Sequence, residues 1–270
     1  MTDSFEPVRR VPRARWRDGV LSTGERTIPE ETAIAFTFNR FAYAVMMATP
    51  ADLEDFAIGF SISAGVIAKR DEIKDIEIVT NENGIELRLW LAEDRITEFT
   101  DHRRYIAGPT GCGLCGVESL AEAMKLPPRV TSACRVRAQD LGAAIASMRD
   151  LQLLNHQAHA VHAAAFWQPG TGIIALREDV GRHNALDKLI GALARSGTSV
   201  GQGVVLMTSR VSVELIQKAA ILGAPIIAAV SAPTALALRF AEEAGITLVA
   251  IARDDGFEVF THGDRIVATS

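Results

Sequence analysis

A chain of 270 residues with 48% hydrophobic and 23% charged content is long enough for one or two well-cored domains, and its three cysteines are too few for a secreted disulfide framework. A net charge of −5 points away from nucleic acid, whose phosphates call for a basic surface. No apolar run is long enough to span a bilayer, since Pro225 and Pro233 cut the stretch 219–237, so a soluble cytoplasmic protein is expected and no membrane contact.

In chain order, Arg9-Arg10, Arg13, Arg15 and Arg17 are followed by no apolar segment of an export signal, and residues 1–28 are expected to be a disordered basic arm. Ile34, Phe36 and Phe38, then Phe41, Tyr43 and Val45, alternate on either side of Asn39-Arg40 as a β-hairpin. Thr49-Pro50-Ala51-Asp52 offers an N-cap, with Leu53, Phe56, Ala57, Phe60, Ala64 and Ile67 at helical spacing behind it. Asn83-Gly84 closes a second hairpin ahead of the alternating Ile85, Leu87, Leu89 and Leu91. Residues 29–107 thus read as a small α+β domain, hairpin–helix–hairpin, and 108–128 as a cysteine loop and linker.

From 129 to 270 the pattern becomes α/β. Helices are expected over 141–154, 184–194, 213–222 and 235–244, and strands over 163–167, 173–177, 204–207, 226–230 and 246–251. Val204-Val205-Leu206-Met207 and Ile226-Ile227-Ala228-Ala229-Val230 are apolar throughout, as strands covered on both faces must be. A three-layer α/β sandwich with a largely parallel part follows.

The chemistry centres on Gly111-Cys112-Gly113-Leu114-Cys115-Gly116, a Gly-framed pair of thiols ahead of a helix-forming stretch whose N-terminus would favour a thiolate. A Cys-x-x-Cys pair has four readings. A zinc half-site needs two further ligands; Cys134 stands alone, so they would be drawn from His156, His159 and His162. A thioredoxin-like dithiol should follow a strand and open a long helix. Buried packing in a loop would strand backbone polar groups. The fourth is a nucleophile that carries sulfur as a persulfide. Cys134 itself reads as inert and half-buried.

Glu178-Asp179-Val180-Gly181-Arg182-His183 lies between a strand and a helix, at the edge where α/β proteins bind ligands; a helix cap with surface charges is the rival reading. Arg182, His183 and Arg210 could hold pyrophosphate or guanine groups, with Ser209 at a second strand-to-helix junction.

The cysteine motif, His162-Ala163-Ala164, the run from Arg177 through Glu178-Asp179-Val180-Gly181-Arg182-His183-Asn184-Ala185 to Lys188, Ser209-Arg210-Val211-Ser212 and Gly223-Ala224-Pro225 resemble, in order, the motifs of the formate dehydrogenase accessory sulfurtransferases, the FdhD family. The resemblance runs from about residue 30 to the end. It implies a cytidine deaminase-like three-layer α/β/α domain preceded by the small α+β domain. Deaminase chemistry is not implied, because His162 is followed by Ala163-Ala164 where a zinc deaminase has His-x-Glu, and the sole Cys-x-x-Cys lies upstream.

It further implies a sulfurtransferase that accepts persulfide sulfur from a cysteine desulfurase and passes it to the molybdenum bis(molybdopterin guanine dinucleotide) destined for apo formate dehydrogenase, with a tungsten analogue equally suitable. Carried over, Cys112 bears the persulfide and Cys115 is its partner. The family's cofactor contact falls on Ile251-Ala252-Arg253-Asp254-Asp255-Gly256, where Ile251 replaces an aromatic residue and Asp254 a glycine. No permanently bound metal and a homodimer are expected. A non-catalytic cofactor chaperone and a zinc-binding protein are the alternatives.

Overall fold

The computed structural model describes residues 5–92, 95, 124–253 and 255–268. Its first element differs from the expected disordered arm. Strands β1 (Val8–Arg17) and β2 (Val20–Pro29) pair antiparallel as a two-stranded ribbon. Asp18 and Gly19 join them with φ of 50° and 79°, the left-handed pair whose twist matches that of the strands it connects. The arginine-rich composition reads as an unstructured tail, but this Asp-Gly turn and the alternation around it are local hairpin signals.

Next come β3 (Thr32–Phe38), β4 (Phe41–Ala48), α1 (Leu53–Ser63), β5 (Ile73–Asn81) and β6 (Gly84–Leu91), the hairpin–helix–hairpin read from the sequence. The strand order is β4-β3-β6-β5, with β3 and β6 parallel. Ile34, Phe36 and Phe38 lie beside Ile85, Leu87 and Leu89, and all six are buried on one face of the sheet. Phe36 meets Phe56 of α1 edge-on, with ring centroids 5.0 Å apart. The helix start is a correction. Thr49 does not cap α1, which begins behind Asp52 with no side-chain cap, because Thr49 is engaged elsewhere.

The second part holds β7 (Val136–Arg137), α2 (Ala138–Asp150), α3 (Leu153–Ala158), β8 (His162–Gln168), β9 (Gly172–Asp179), α4 (Arg182–Ser196), β10 (Val204–Met207), α5 (Val213–Leu222), β11 (Ile226–Ala229), α6 (Ala235–Ala244), β12 (Thr247–Arg253), β13 (Gly256–Val259) and β14 (Ile266–Val267). The helix expected over 141–154 is in fact two, α2 and α3. Six strands form one mixed sheet in the order β13-β12-β11-β10-β8-β9, with β10, β11 and β12 parallel. Successive residues of β10 serve opposite cores, as strand alternation requires. Val205 and Met207 face α4, α5 and α6, whereas Val204 and Leu206 face Leu141, Ala144 and Met148 of α2. Cys134 belongs to the latter core, 2% exposed, and burial raises its thiol pKa.

One continuous apolar core joins the two parts, since α1 crosses α4 at unusually close range. A Cβ on Gly59 would lie 1.7 Å from the Asp187 carbonyl oxygen, and one on Gly191 1.8 Å from that of Asp55. Buried polar groups fix the same seam. Lys188 Nζ, fully buried, lies 2.7 Å from Asp179 Oδ2 and donates to the Thr49 carbonyl at 2.8 Å. Asp179 also accepts from the backbone N–H of Thr49 and Gly181 and from Asn184 Nδ2, while Thr49 Oγ1 accepts from the Val180 N–H. With every partner present, the desolvation of these charges is offset.

Candidate functional site

An open groove of about 1140 Å³ lies at the C-terminal ends of the parallel strands, where α/β sheets present ligand sites. Thr208 follows β10, Val230 follows β11, and Ala252 and Arg253 end β12; Gly256 and Phe257 open β13. The opposite wall is α2, whose Ala138, Gly142, Ala146 and Arg149 recur on one helical face, small residues leaving the space and an arginine lining its end. Asn155 of α3 and His162 of β8 complete the polar lining.

The local sequence explains how these side chains are held. Glu178 accepts hydrogen bonds from the Leu154 and Asn155 N–H groups, both at 2.8 Å, and so caps α3 and sets Asn155 at the groove. Burial raises the Glu178 pKa, opposed by those two bonds. Thr208 Oγ1 accepts from the Ala163 N–H at 2.9 Å, tying β10 to the strand that carries His162. Burial first, then the charge of Arg182, lowers the His162 pKa, so the ring is neutral at pH 7. At the β12–β13 irregularity Ile251 has φ of 54°, a left-handed conformation costly for a β-branched residue. Immediately beyond it, Arg253 donates to the carbonyls of Ala252 and Val230 and remains exposed.

Of the residues singled out in the sequence, Ala252, Arg253, Asp255 and Gly256 line the groove, and Ile251 sits half-buried behind it; Asp254 lies outside the described residues. Arg182, His183, Ser209 and Arg210 do not line it. His183 Nε2 is 3.4 Å from Ser212 Oγ and 3.9 Å from Glu214 Oε2. Both neighbours meet the same ring nitrogen, which is not the arrangement of a nucleophile–base–orienter relay. Burial, then Arg182 and Lys218, bring the His183 pKa down to about 4. Ser209 is buried and donates to the Arg210 carbonyl, while the Arg210 side chain is exposed. The surface-charge reading of the Glu178–His183 run is overturned as well, since Glu178 and Asp179 are buried and Arg182 and His183 half-buried.

Sequence reasoning missed Arg149, Asn155 and Thr208. The one available signal was the Gly142, Ala146 and Arg149 spacing on a single helix face.

Cys112 and Cys115 lie outside the described residues. The flanking chain is placed. Arg95 pairs with Glu72 at 2.7 Å beside β5, and the Lys125 carbonyl accepts from Gln217 Nε2 of α5 at 3.2 Å. Among the described residues no three His, Cys, Asp or Glu side chains gather to hold a metal ion, and no helix is long and apolar enough to cross a membrane.

A mixed sheet between helical layers, with an open groove across its strand ends, defines a layered α/β protein. More particularly, the chain belongs to the FdhD/NarQ family, whose model matches residues 29–267. It is 50% identical over 260 residues to the sulfur carrier protein FdhD of Agrobacterium fabrum, covering 96% of each chain. The sulfur carrier protein FdhD of Cupriavidus necator is 47% identical over 253 residues, covering 94% of this chain and 88% of its own. A crystal structure from Desulfotalea psychrophila, described as a formate dehydrogenase accessory protein, superposes with a TM-score of 0.74 at 26% identity, over 96% of this chain and 99% of that one.

Proposed function

We propose that this protein is a sulfur carrier serving formate dehydrogenase, which takes up sulfur as a persulfide on Cys112 and passes it to a molybdenum bis(molybdopterin guanine dinucleotide) substrate lying in the groove. The observation that carries this reading is the 50% identity to a sulfur carrier protein, sustained over 96% of both chains.

The chemistry balances with the chain's own thiols and two partners. The Cys112 thiolate attacks the outer sulfur of a cysteine desulfurase persulfide; a new S–S bond forms on Cys112 and the desulfurase cysteine leaves as thiolate. For delivery, the Cys115 thiolate attacks the inner sulfur, forming a Cys112–Cys115 disulfide and releasing the outer sulfur as hydrosulfide to the substrate metal. A dithiol reductant then restores both thiols. Arg149 and Arg253, set against Asp255, leave the groove lining net positive, as guanine-dinucleotide phosphates favour, and Asn155, Thr208 and neutral His162 offer hydrogen bonds. Molybdenum or tungsten would be cargo in this scheme, and the protein needs no metal of its own.

In cells lacking the natural protein, wild type is expected to restore formate dehydrogenase activity and Cys112→Ala to restore none. Full activity with the variant would overturn the assignment of Cys112.

A further inference from the structure

Two carboxamides line the groove, and they are held differently. Gln152 is buried and turns its amide back to the Met148 carbonyl of α2, whereas the half-buried Asn155 side chain has no hydrogen-bond partner among the described residues. The Asn155 backbone, by contrast, is clamped on both sides. Its N–H donates to Glu178 Oε1 and the Leu154 N–H to Glu178 Oε2, each at 2.8 Å, while its carbonyl accepts from the His159 N–H at 2.8 Å. His159 closes the helix in left-handed backbone, with φ of 53°.

Helix α3 spans only Leu153–Ala158, too short to hold itself in water, and Gln152 at its N-cap position supplies no side-chain cap. The cap comes instead from β9, the edge strand of the six-stranded sheet, where Glu178 stands opposite Ala163 of β8 and is 5% exposed. An ionised carboxylate accepts at both oxygens and so receives the two N–H groups together. Glu178 does not itself line the groove. Its buried charge sets the place of a side chain that does.

We propose that Glu178 is a positioning residue for nucleotide binding, holding α3 so that the Asn155 carboxamide meets the base edge of the substrate's guanine. This rests on the reading of the groove as the seat of a guanine dinucleotide. That edge presents O6 as an acceptor beside N1–H as a donor, and a carboxamide carries the matching donor and acceptor side by side. Arg149, on the neighbouring α2, is matched to phosphate instead.

The test is titration of the full chain with guanosine diphosphate (GDP) and, by competition, with inorganic pyrophosphate. Wild type, Asn155→Ala, Glu178→Gln and the double variant are compared, each checked for an unchanged far-UV spectrum. Gln keeps the shape of Glu but offers one acceptor oxygen, so one α3 N–H faces an amide donor. The GDP dissociation constant is expected to rise roughly fivefold to tenfold in each single variant and no further in the double variant, with pyrophosphate binding unchanged. Losses that multiply in the double variant would overturn the proposal, because Glu178 would then act by another route than Asn155. An equal loss of pyrophosphate affinity in Glu178→Gln would overturn it as well, being the mark of a generally disturbed groove. If Glu178→Gln does not fold, Asn155→Ala still decides, since wild-type GDP affinity in that variant would sink the proposal alone. A wild type that binds neither GDP nor pyrophosphate would overturn the nucleotide reading of the groove, and this inference with it.

Discussion

His183 shows how a single residue changes meaning between sequence and structure. At a strand-to-helix junction it reads as an anion-holding side chain; in the fold it stands beside Ser212 and Glu214, outside the groove, with a pKa brought down to about 4. The ordinary value is 6.5, so between the two the unfolded chain binds more protons than the folded one. Stability is therefore fully present above the unfolded value and is lost as pH falls toward the folded one. The largest loss from this group is roughly 3 kcal/mol. Burial shifts His162 in the same direction, so part of the slope belongs to it. Urea unfolding between about pH 7 and about pH 4.5 should show a clearly flatter decline in His183→Gln than in wild type. An unchanged slope would mean that His183 is not held neutral by burial. The neighbouring Asp179, Asn184 and Lys188 were legible as a motif but not as a seam, because Thr49 and Met47, to which they bond, lie in a different part of the sequence.

At the scale of elements, the α1–α4 crossing makes a prediction opposite to intrinsic propensity. Alanine in place of a mid-helix glycine ordinarily stabilises by up to about 1 kcal/mol. At Gly59 the added Cβ would fall 1.7 Å from a backbone oxygen of α4, and backbone cannot step aside as a flexible side chain can. Gly59→Ala should therefore destabilise the protein by roughly 3 kcal/mol or more, read from the urea midpoint at unchanged m-value. A stabilised variant would contradict the close crossing. Most elements were legible because alternation such as Leu87, Leu89 and Leu91 and the apolar run of β10 report burial directly. The ribbon was not, since its arginines dominate the composition and the Asp18-Gly19 turn that sets its geometry is only two residues long. Nor was the start of α1: Thr49 has the side chain of an N-cap, yet in the fold its hydroxyl accepts from the Val180 N–H just past β9 and its carbonyl from Lys188 of α4.

For the molecule as a whole, the groove is a product of topology. Gly142, Arg149, Asn155, His162, Thr208 and Arg253 come from elements that adjoin only because β8, β10, β11 and β12 lie side by side. Sequence spacing shows the contribution of each element but not their convergence, so only the family motif pointed to residues 252–256. The cysteine pair is the reverse case, conspicuous in the sequence as a Gly-framed Cys-x-x-Cys. The proposed chemistry rests on Cys112 accepting sulfur. Intact-mass spectrometry of wild type and Cys112→Ala, after incubation with a cysteine desulfurase and free cysteine, tests it most directly. A reductant-sensitive gain of one sulfur atom in the wild type, absent from the variant, is the predicted result; no gain with a competent desulfurase, or an equal gain on both proteins, would contradict it.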